Sequence, residues 1–343
     1  MTDPHPSTAA ASVAADEPTT PATPLLQVEE LEVALTGGAN TGTVIDSVSF
    51  SVDAGRTTGL IGESGSGKTM SAMSIVGLLP SGAKTSGRIA WQSENLLTAP
   101  ARRLRQVRGH EIGVIFQDPL AALNPIQTIG RQVGEILRRG GMGRQDVRAK
   151  VLRLLDRVGI PDPEHRIDVH PHEMSGGMRQ RVMIAMALAG GPQLIIADEP
   201  TTALDVTTQA RILQLLSDLR EKEGVAMLLV SHDLRVMAHV ADDVVVMYAG
   251  RVAERGPARE VLEHPRHPYT RALANNVPAV SRKTAIAEPL QGAPANPFER
   301  PAGCAFHPRC PMARERCRTE VPELREVDPG RFSACHFASE VRP

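Results

Sequence analysis

The segment Gly62-Glu63-Ser64-Gly65-Ser66-Gly67-Lys68-Thr69 constrains the fold of this chain more tightly than any other stretch. It fits the pattern G-x-x-x-x-G-K-[ST]. An apolar strand-like run, Thr57–Ile61, leads into it, and a helical pattern follows from Lys68 to about Leu79, ended by Pro80 and Gly82. Glycines let the backbone turn its N–H groups inward on the β- and γ-phosphates of a nucleotide, and the helix adds its positive N-terminal end. Lys68 is placed to bridge the phosphates and the Thr69 hydroxyl to ligate Mg2+. A flexible Gly/Ser turn would satisfy the letters but not the strand before and the helix after. A nucleoside triphosphate is the expected ligand.

The rest of the chain alternates strands with helices. Leu26–Leu35 and Val44–Val52 run as strands around a Gly/Thr/Asn-rich turn, and Ile112–Phe116 is strand-like. A strand is expected at Leu194–Ala197, a helix at Thr207–Lys222, a strand at Val225–Val230, a helix at Leu234–Ala241 and a strand at Asp243–Tyr248. That order predicts a mainly parallel sheet covered on both faces. Between them, Asp118–His172 reads as a mostly helical insertion, with helical patterns at Ile129–Arg138 and Val147–Val158. Leu194–Ala197 delivers two adjacent carboxylates, Asp198 and Glu199, at the end where open α/β sheets do their chemistry. Asp198 suits Mg2+, and Glu199 suits positioning or deprotonating an attacking water.

Length and composition set outer bounds. The 343 residues, 41% hydrophobic and 22% charged, suit one large soluble domain plus an appendage. A net charge of -1 gives no polyanion-binding surface, so nucleic acid is not expected as a partner. No apolar run approaches the roughly 18–20 residues that cross a bilayer. Residues 1–24, rich in Ala, Thr, Pro and Ser, read as a disordered tail without the features of a signal peptide. A cytoplasmic location follows, with any membrane role exercised through partners. All four cysteines, Cys304, Cys310, Cys317 and Cys335, lie in the last stretch of the chain, which reads as a metal or cluster site before disulfides.

Ser175-Gly176-Gly177-Met178-Arg179-Gln180-Arg181 supplies a second helix start, capped by Ser175 and lined by small residues. An ordinary capped helix would explain it alone. It does not explain the order of loop, Gln117, Ser-Gly-Gly, Asp-Glu, Asp205 and His232. That order resembles the ATPase domain of ABC transporters across about residues 26–250. The resemblance implies an α/β P-loop NTPase fold: a mixed, mainly parallel sheet core with an antiparallel β subdomain and a helical subdomain at about 118–172. It makes Gly62–Thr69 the phosphate-binding loop and Gln117 a sensor of the γ-phosphate. Ser175–Gln180 becomes the signature, with Ser175, Gly176, Gly177 and Gln180 facing a nucleotide. Asp198 closes the Walker B strand, Glu199 is the catalytic glutamate, Ala203-Leu204-Asp205 the D-loop and His232 the switch histidine. Thr69, Gln117 and Asp198 would surround Mg2+. Each ATP would lie between one chain's loop and another chain's signature, so a second ATPase subunit, identical or homologous, is required.

Longer stretches narrow the resemblance. Phe116-Gln117-Asp118-Pro119 continuing to Leu123-Asn124-Pro125 and Thr128-Ile129-Gly130, His170-Pro171-His172-Glu173-Met174, and His264-Pro265-Arg266-His267-Pro268-Tyr269-Thr270 resemble the ATPases of dipeptide and oligopeptide importers and their nickel-importing relatives. That implies two transmembrane permease subunits, an extracytoplasmic solute-binding protein and a place on the cytoplasmic face of the membrane. Residues 251–343 become a C-terminal extension whose C-x5-C-x6-C-x17-C tail is similar to one that binds a four-iron, four-sulfur cluster. A zinc site or free thiols are the alternatives. One departure stands out: family members usually set an aromatic ring against adenine from the loop after the first strand, yet Leu35–Val44 contains none. Leu35 or Val44 is left to offer an apolar contact. Soluble ABC proteins acting on DNA or ribosomes, and iron–sulfur assembly ATPases, are the competing classes. The first fits poorly, because the stretch from Thr69 to Ser175 is too short for long coiled coils and the chain holds one phosphate-binding loop. The importer-like stretches argue against the second.

Overall fold

The computed structural model describes residues 23–37, 41–202, 204–275 and 290–342. The tail expected over residues 1–24 lies almost wholly outside them, and so does Ala203 of the expected D-loop. In chain order, β1 (Leu26–Leu35) and β2 (Gly42–Val52) form an antiparallel pair, and β3 (Thr57–Ile61) follows. Helix α1 (Lys68–Ile75) stops before the expected Leu79, because the chain turns at Gly77 with φ 62° rather than at Pro80. Three elements then come from a stretch with no sequence assignment: β4 (Ala83–Trp91), β5 (Glu94–Asn95) and α2 (Ala101–Gln106). A π-helical turn, Val107–Glu111, leads into β6 (Ile112–Ile115).

The insertion is helical, as its pattern predicts: α3 (Pro119–Ala122), α4 (Ile129–Arg139), α5 (Arg144–Arg157) and α6 (Pro163–Arg166). Helix α7 (Gly176–Ala189) returns to β7 (Leu194–Asp198). Then come α8 (Val206–Glu223), β8 (Ala226–Ser231), α9 (Leu234–Val240) and β9 (Asp243–Tyr248). The C-terminal part contributes β10 (Arg251–Pro257), α10 (Ala258–Glu263), α11 (Pro268–Asn275), α12 (Glu315–Thr319), β11 (Arg325–Asp328) and β12 (Arg331–Ser333).

Two sheets organise these elements. The smaller, ordered β2-β1-β4-β5, is antiparallel throughout. The larger is ordered β11-β12-β10-β9-β3-β8-β7-β6. Its run from β9 to β6 is parallel, and β10, β12 and β11 close one side antiparallel. Strands β3, β7 and β8 are buried along their whole length, which is why they read as unbroken apolar runs. One core lies between the smaller sheet, α1 and one face of the larger sheet, where Trp91 is fully buried and donates from Nε1 to Glu111 Oε2 at 2.6 Å. Truncating a ring so enclosed costs about 3–5 kcal/mol. The other core joins the opposite face of the sheet to α4, α5 and α7. Strand order thus sets the loops after β3, β7 and β8 side by side, at the carboxyl ends of adjacent parallel strands.

Candidate active site

The loop after β3 wraps a cavity that sequence chemistry anticipates. Gly67 sits at φ 102°, and a Cβ there would stand 2.4 Å from Ile45 Cδ1; at Gly62 a Cβ would stand 2.3 Å from the Met247 carbonyl. Only glycine fits at either place, so the turn is dictated by contact as well as by conformation. No side chain caps the first N–H groups of α1, leaving them for a ligand. Lys68 is 5% exposed and folds back, donating from Nζ to the Gly62 and Glu63 carbonyls at 2.8 and 3.0 Å. Burial pulls its pKa down, against the opposing pull of Glu199, Asp198 and Glu63. A polyphosphate would supply the negative charge this ammonium lacks. Ser66 Oγ, buried in the same turn, has no hydrogen-bond partner among the described residues.

The carboxylates stand opposite. Asp198 ends β7 and accepts from Thr69 Oγ1 at 3.0 Å. Burial raises its pKa, and the Thr69 hydrogen bond and Lys68 work against that rise. A hydroxyl and a carboxylate meeting at a phosphate-binding loop are hard oxygen donors of the kind Mg2+ takes, so these residues fit the ion. Glu199 has φ 45°, left-handed for a residue that is not glycine, and its N–H is held by the Val230 carbonyl at 3.0 Å. That twist throws its carboxylate forward to meet three side chains. Thr202 Oγ1 donates at 2.8 Å, Gln117 Nε2 at 3.2 Å, and His232 Nδ1 lies 3.1 Å from Oε1. Burial works to raise the Glu199 pKa, but the His232 and Thr202 hydrogen bonds, with Lys68 nearby, hold it below the ordinary carboxylate value. It is therefore an anion at neutral pH.

An open cleft of about 920 Å³ gathers these groups. Glu63, Ser64, Gly65, Lys68, Thr69, Gln117, Glu199 and His232 all line it. The signature residues do not. Ser175 caps α7, its Oγ accepting from Met178 N at 3.3 Å, and a Cβ on Gly177 would meet Thr208 of α8 at 2.8 Å. Asp205 caps α8, accepting from Thr208 N at 2.9 Å. These two helix starts pack against each other and away from the cleft. Gln180, expected to face a nucleotide, is instead 1% exposed within α7, where its Nε2 has no partner among the described residues.

Sequence reasoning missed the part of the cleft that comes from the C-terminal extension. Leu273, Pro294, Asn296, Pro297 and Phe298 complete its wall. Arg309 grips Glu63 of the loop with two nitrogens, at 2.7 and 3.0 Å, and the Tyr269 hydroxyl accepts from Glu63 N at 2.9 Å. The four-iron, four-sulfur cluster expected on the cysteines is corrected by the structure. Among the described residues no group of three or more His, Cys, Asp or Glu side chains is placed to hold a metal ion, and all four cysteines are free thiols. They line a small apolar pocket with Phe306 and Phe337. Burial pushes the Cys304 and Cys335 thiols up to about 11 and raises Cys310 too. His307 and His336 bond the backbone carbonyls of Cys304 and Glu320.

Comparison with known proteins adds to this geometry. Residues 45–202 match the family model described as ABC transporter, and residues 253–317 match the one described as oligopeptide/dipeptide transporter, C-terminal region. The chain is 44% identical over 314 residues to the dipeptide transport ATP-binding protein DppD of Haemophilus influenzae, covering 91% of this chain and 95% of that protein. It is 43% identical over 316 residues to the oligopeptide transport ATP-binding protein OppD of Salmonella typhimurium, covering 92% and 94%. Among solved structures, the ATP-binding cassette MJ0796, a dimer in a post-hydrolysis state bound to ADP and Pi, is similar with a TM-score of 0.61. It is 28% identical, and the match covers 68% of this chain and 99% of that one. CbiO1 from Clostridium perfringens, part of the ABC transporter complex cbiONQ, gives a TM-score of 0.60 at 28% identity, covering 70% and 91%.

Proposed function

The chain belongs to the ABC transporter family, among its dipeptide and oligopeptide transport ATPases, and from that premise we propose that it hydrolyses ATP to energise an importer of short peptides. One observation carries the reading: a single cleft joins the phosphate-binding loop to the Glu199 carboxylate, with Gln117 and His232 already bonded to it. The loop backbone and Lys68 bind the β- and γ-phosphates. Thr69, Asp198 and Gln117 would hold Mg2+, which would neutralise phosphate charge. Glu199 takes a proton from the attacking water as its oxygen bonds to the γ-phosphorus. The bond from that phosphorus to the bridging oxygen breaks, and ADP leaves with that oxygen. His232 steadies the Glu199 carboxylate and faces the phosphate that departs.

The remaining roles belong to assembly. Ser175, Gly176, Gly177 and Asp205 meet the nucleotide of a second ATPase subunit, identical or homologous. Residues 25–250 work as the ATPase domain and residues 251–343 as its extension. The helical segment, about 118–172, passes the closing and reopening of the pair to two transmembrane permeases served by an extracytoplasmic solute-binding protein. Leu120 and Ile126, 53% and 83% exposed on that segment, support a docking role there. No helix among the described residues is long and apolar enough to cross a membrane, so a place at the cytoplasmic face is reached through those permeases. Nickel or another small solute in place of peptides is the second reading, which the same ATPase would serve.

The test is to tag the Glu199→Gln chain, trap it with ATP in detergent-solubilised membranes and identify what co-purifies. Two hydrophobic permeases, lost when Ile126→Asp is added, are the expected result. Soluble partners alone would overturn the transport reading while leaving the ATPase intact.

A further inference from the structure

The loop between β1 and β2 offers no ring for the base of a nucleotide. The structure brings one from elsewhere. Phe298, in the C-terminal extension, lines the cleft together with Val44 and the phosphate-binding loop. Its ring lies beside the first residue of β2: a Cβ placed on Gly42 would stand 3.6 Å from Phe298 Cδ1. The ring thus occupies the flank of the β1–β2 turn, at the strand end from which an aromatic side chain is missing. It is only partly buried, resting on the core below the smaller sheet and open toward the cleft.

The segment is built to hold that position. Asn296 Oδ1 accepts from Phe298 N at 3.1 Å, a local turn that fixes the approach of the ring. Before it, Ala295 N donates to the Tyr248 hydroxyl at 3.1 Å. After it, Arg300 donates from Nε to the Ala249 carbonyl at 2.6 Å and from its second nitrogen to the Val44 carbonyl at 3.2 Å. Val44 is itself a wall residue, so Arg300 ties the ring-bearing segment to the strand beside it. Two prolines, Pro294 and Pro297, reduce the freedom the segment would otherwise lose on ordering.

Resting on the reading of the cleft as an ATP site, we propose that Phe298 is the base-stacking residue of this chain, contributed by its own C-terminal extension in place of the β1–β2 loop. The β1–β2 loop needs no ring because the extension delivers one to the same wall. Nucleotide affinity is then coupled to the seating of the extension, whose other grips on the site are Arg309 and Tyr269 on Glu63.

Equilibrium binding of ATP and of inorganic tripolyphosphate to the full chain tests this. Stacking of an aromatic pair predicts a rise of about three- to tenfold in the ATP dissociation constant for Phe298→Ala, with tripolyphosphate binding unchanged and Phe298→Tyr restoring ATP affinity. Phe298→Trp adds an optical readout, since the natural Trp91 is fully buried. ATP should quench the new indole and tripolyphosphate should not. ATP affinity within twofold of the unsubstituted chain for Phe298→Ala, or equal losses for both ligands, overturns the inference. An unquenched indole overturns it even if the alanine variant fails to fold. Lys68→Ala separates the two levels: it should lose both ligands. If the unsubstituted chain binds neither, the ATP-site reading itself fails; if it binds ATP and Phe298 is indifferent, only the stacking role does.

Discussion

Glu199 concentrates the chemistry of the site in one side chain. Its left-handed backbone costs on the order of 1 kcal/mol or more for a residue with a Cβ, and the surroundings hold it there through the Val230 carbonyl and three side-chain partners. Such a conformation would be released unless the direction of the carboxylate mattered. Glu199→Gln keeps the size and most of the hydrogen bonding while removing the basic oxygen. ATP binding should persist and steady-state hydrolysis should fall by roughly 10²-fold or more. A phosphate-release assay beside a nucleotide-binding titration separates the two effects. Turnover within tenfold of the unsubstituted chain would move the base elsewhere. At this scale the motif order named Lys68, Thr69, Gln117 and His232, which the structure brings to one cleft, and Asp198, which it sets against Thr69. Phe298 was not legible, because a lone phenylalanine in a proline-rich stretch carries no periodicity, and its partners Gly42 and Val44 are distant in sequence.

Elements were legible where burial was complete. Strands β3, β7, β8 and β9 announce themselves as short apolar runs bounded by turns, and the structure returns them within a residue at either end. Strand β4 was missed because Lys84 to Arg88 are exposed and mostly polar, so only its end reads as an apolar strand. Strands β11 and β12 are too short to read; β12 pairs with the edge of β10 and β11 with β12. The joint they make is a place to test by pH. His267, 3% exposed, accepts the Tyr269 N–H at Nδ1 at 3.0 Å. Burial pushes its pKa down to about 4 from 6.5. A histidine depressed in this way gives stability that is full above pH 6.5 and is lost as pH falls toward 4. Glu254 beside it, whose Oε2 accepts His267 N at 2.9 Å, is raised by burial to about 7. Its contribution has the opposite sign: full below the unfolded carboxyl value and lost as pH rises through 7. The two slopes offset one another, so the unsubstituted chain alone looks flat. The difference between it and His267→Asn is the informative quantity. That difference should fall by about 2 kcal/mol between pH 7.5 and pH 5, measured by urea unfolding. A difference independent of pH would mean His267 titrates normally when folded.

On the proposed assembly, the whole molecule carries half of each of two sites. The cleft holds a phosphate-binding loop, a base-facing wall and a carboxylate, yet the signature helix start at Ser175 and the Asp205 turn lie packed together outside it. With the loop on one surface and the signature on another, the proposed sites are completed only by pairing. In that proposed assembly, two signatures then meet two loops at once. Ser175→Arg is the direct probe, because it puts bulk and charge at the signature without touching the cleft. Loss of the cap costs about 1 kcal/mol in α7, small enough for the fold to survive. A titration of the variant should show ATP binding to the single chain within about threefold of normal, a span of under 1 kcal/mol. ATP-dependent association in the Glu199→Gln background, read by light scattering, should disappear, and turnover in the unsubstituted background should fall by roughly 10²-fold or more, since the second half of each site is gone. Were hydrolysis to continue while association was lost, a single chain would be sufficient for catalysis, and the exposed signature would need another partner than a second ATPase.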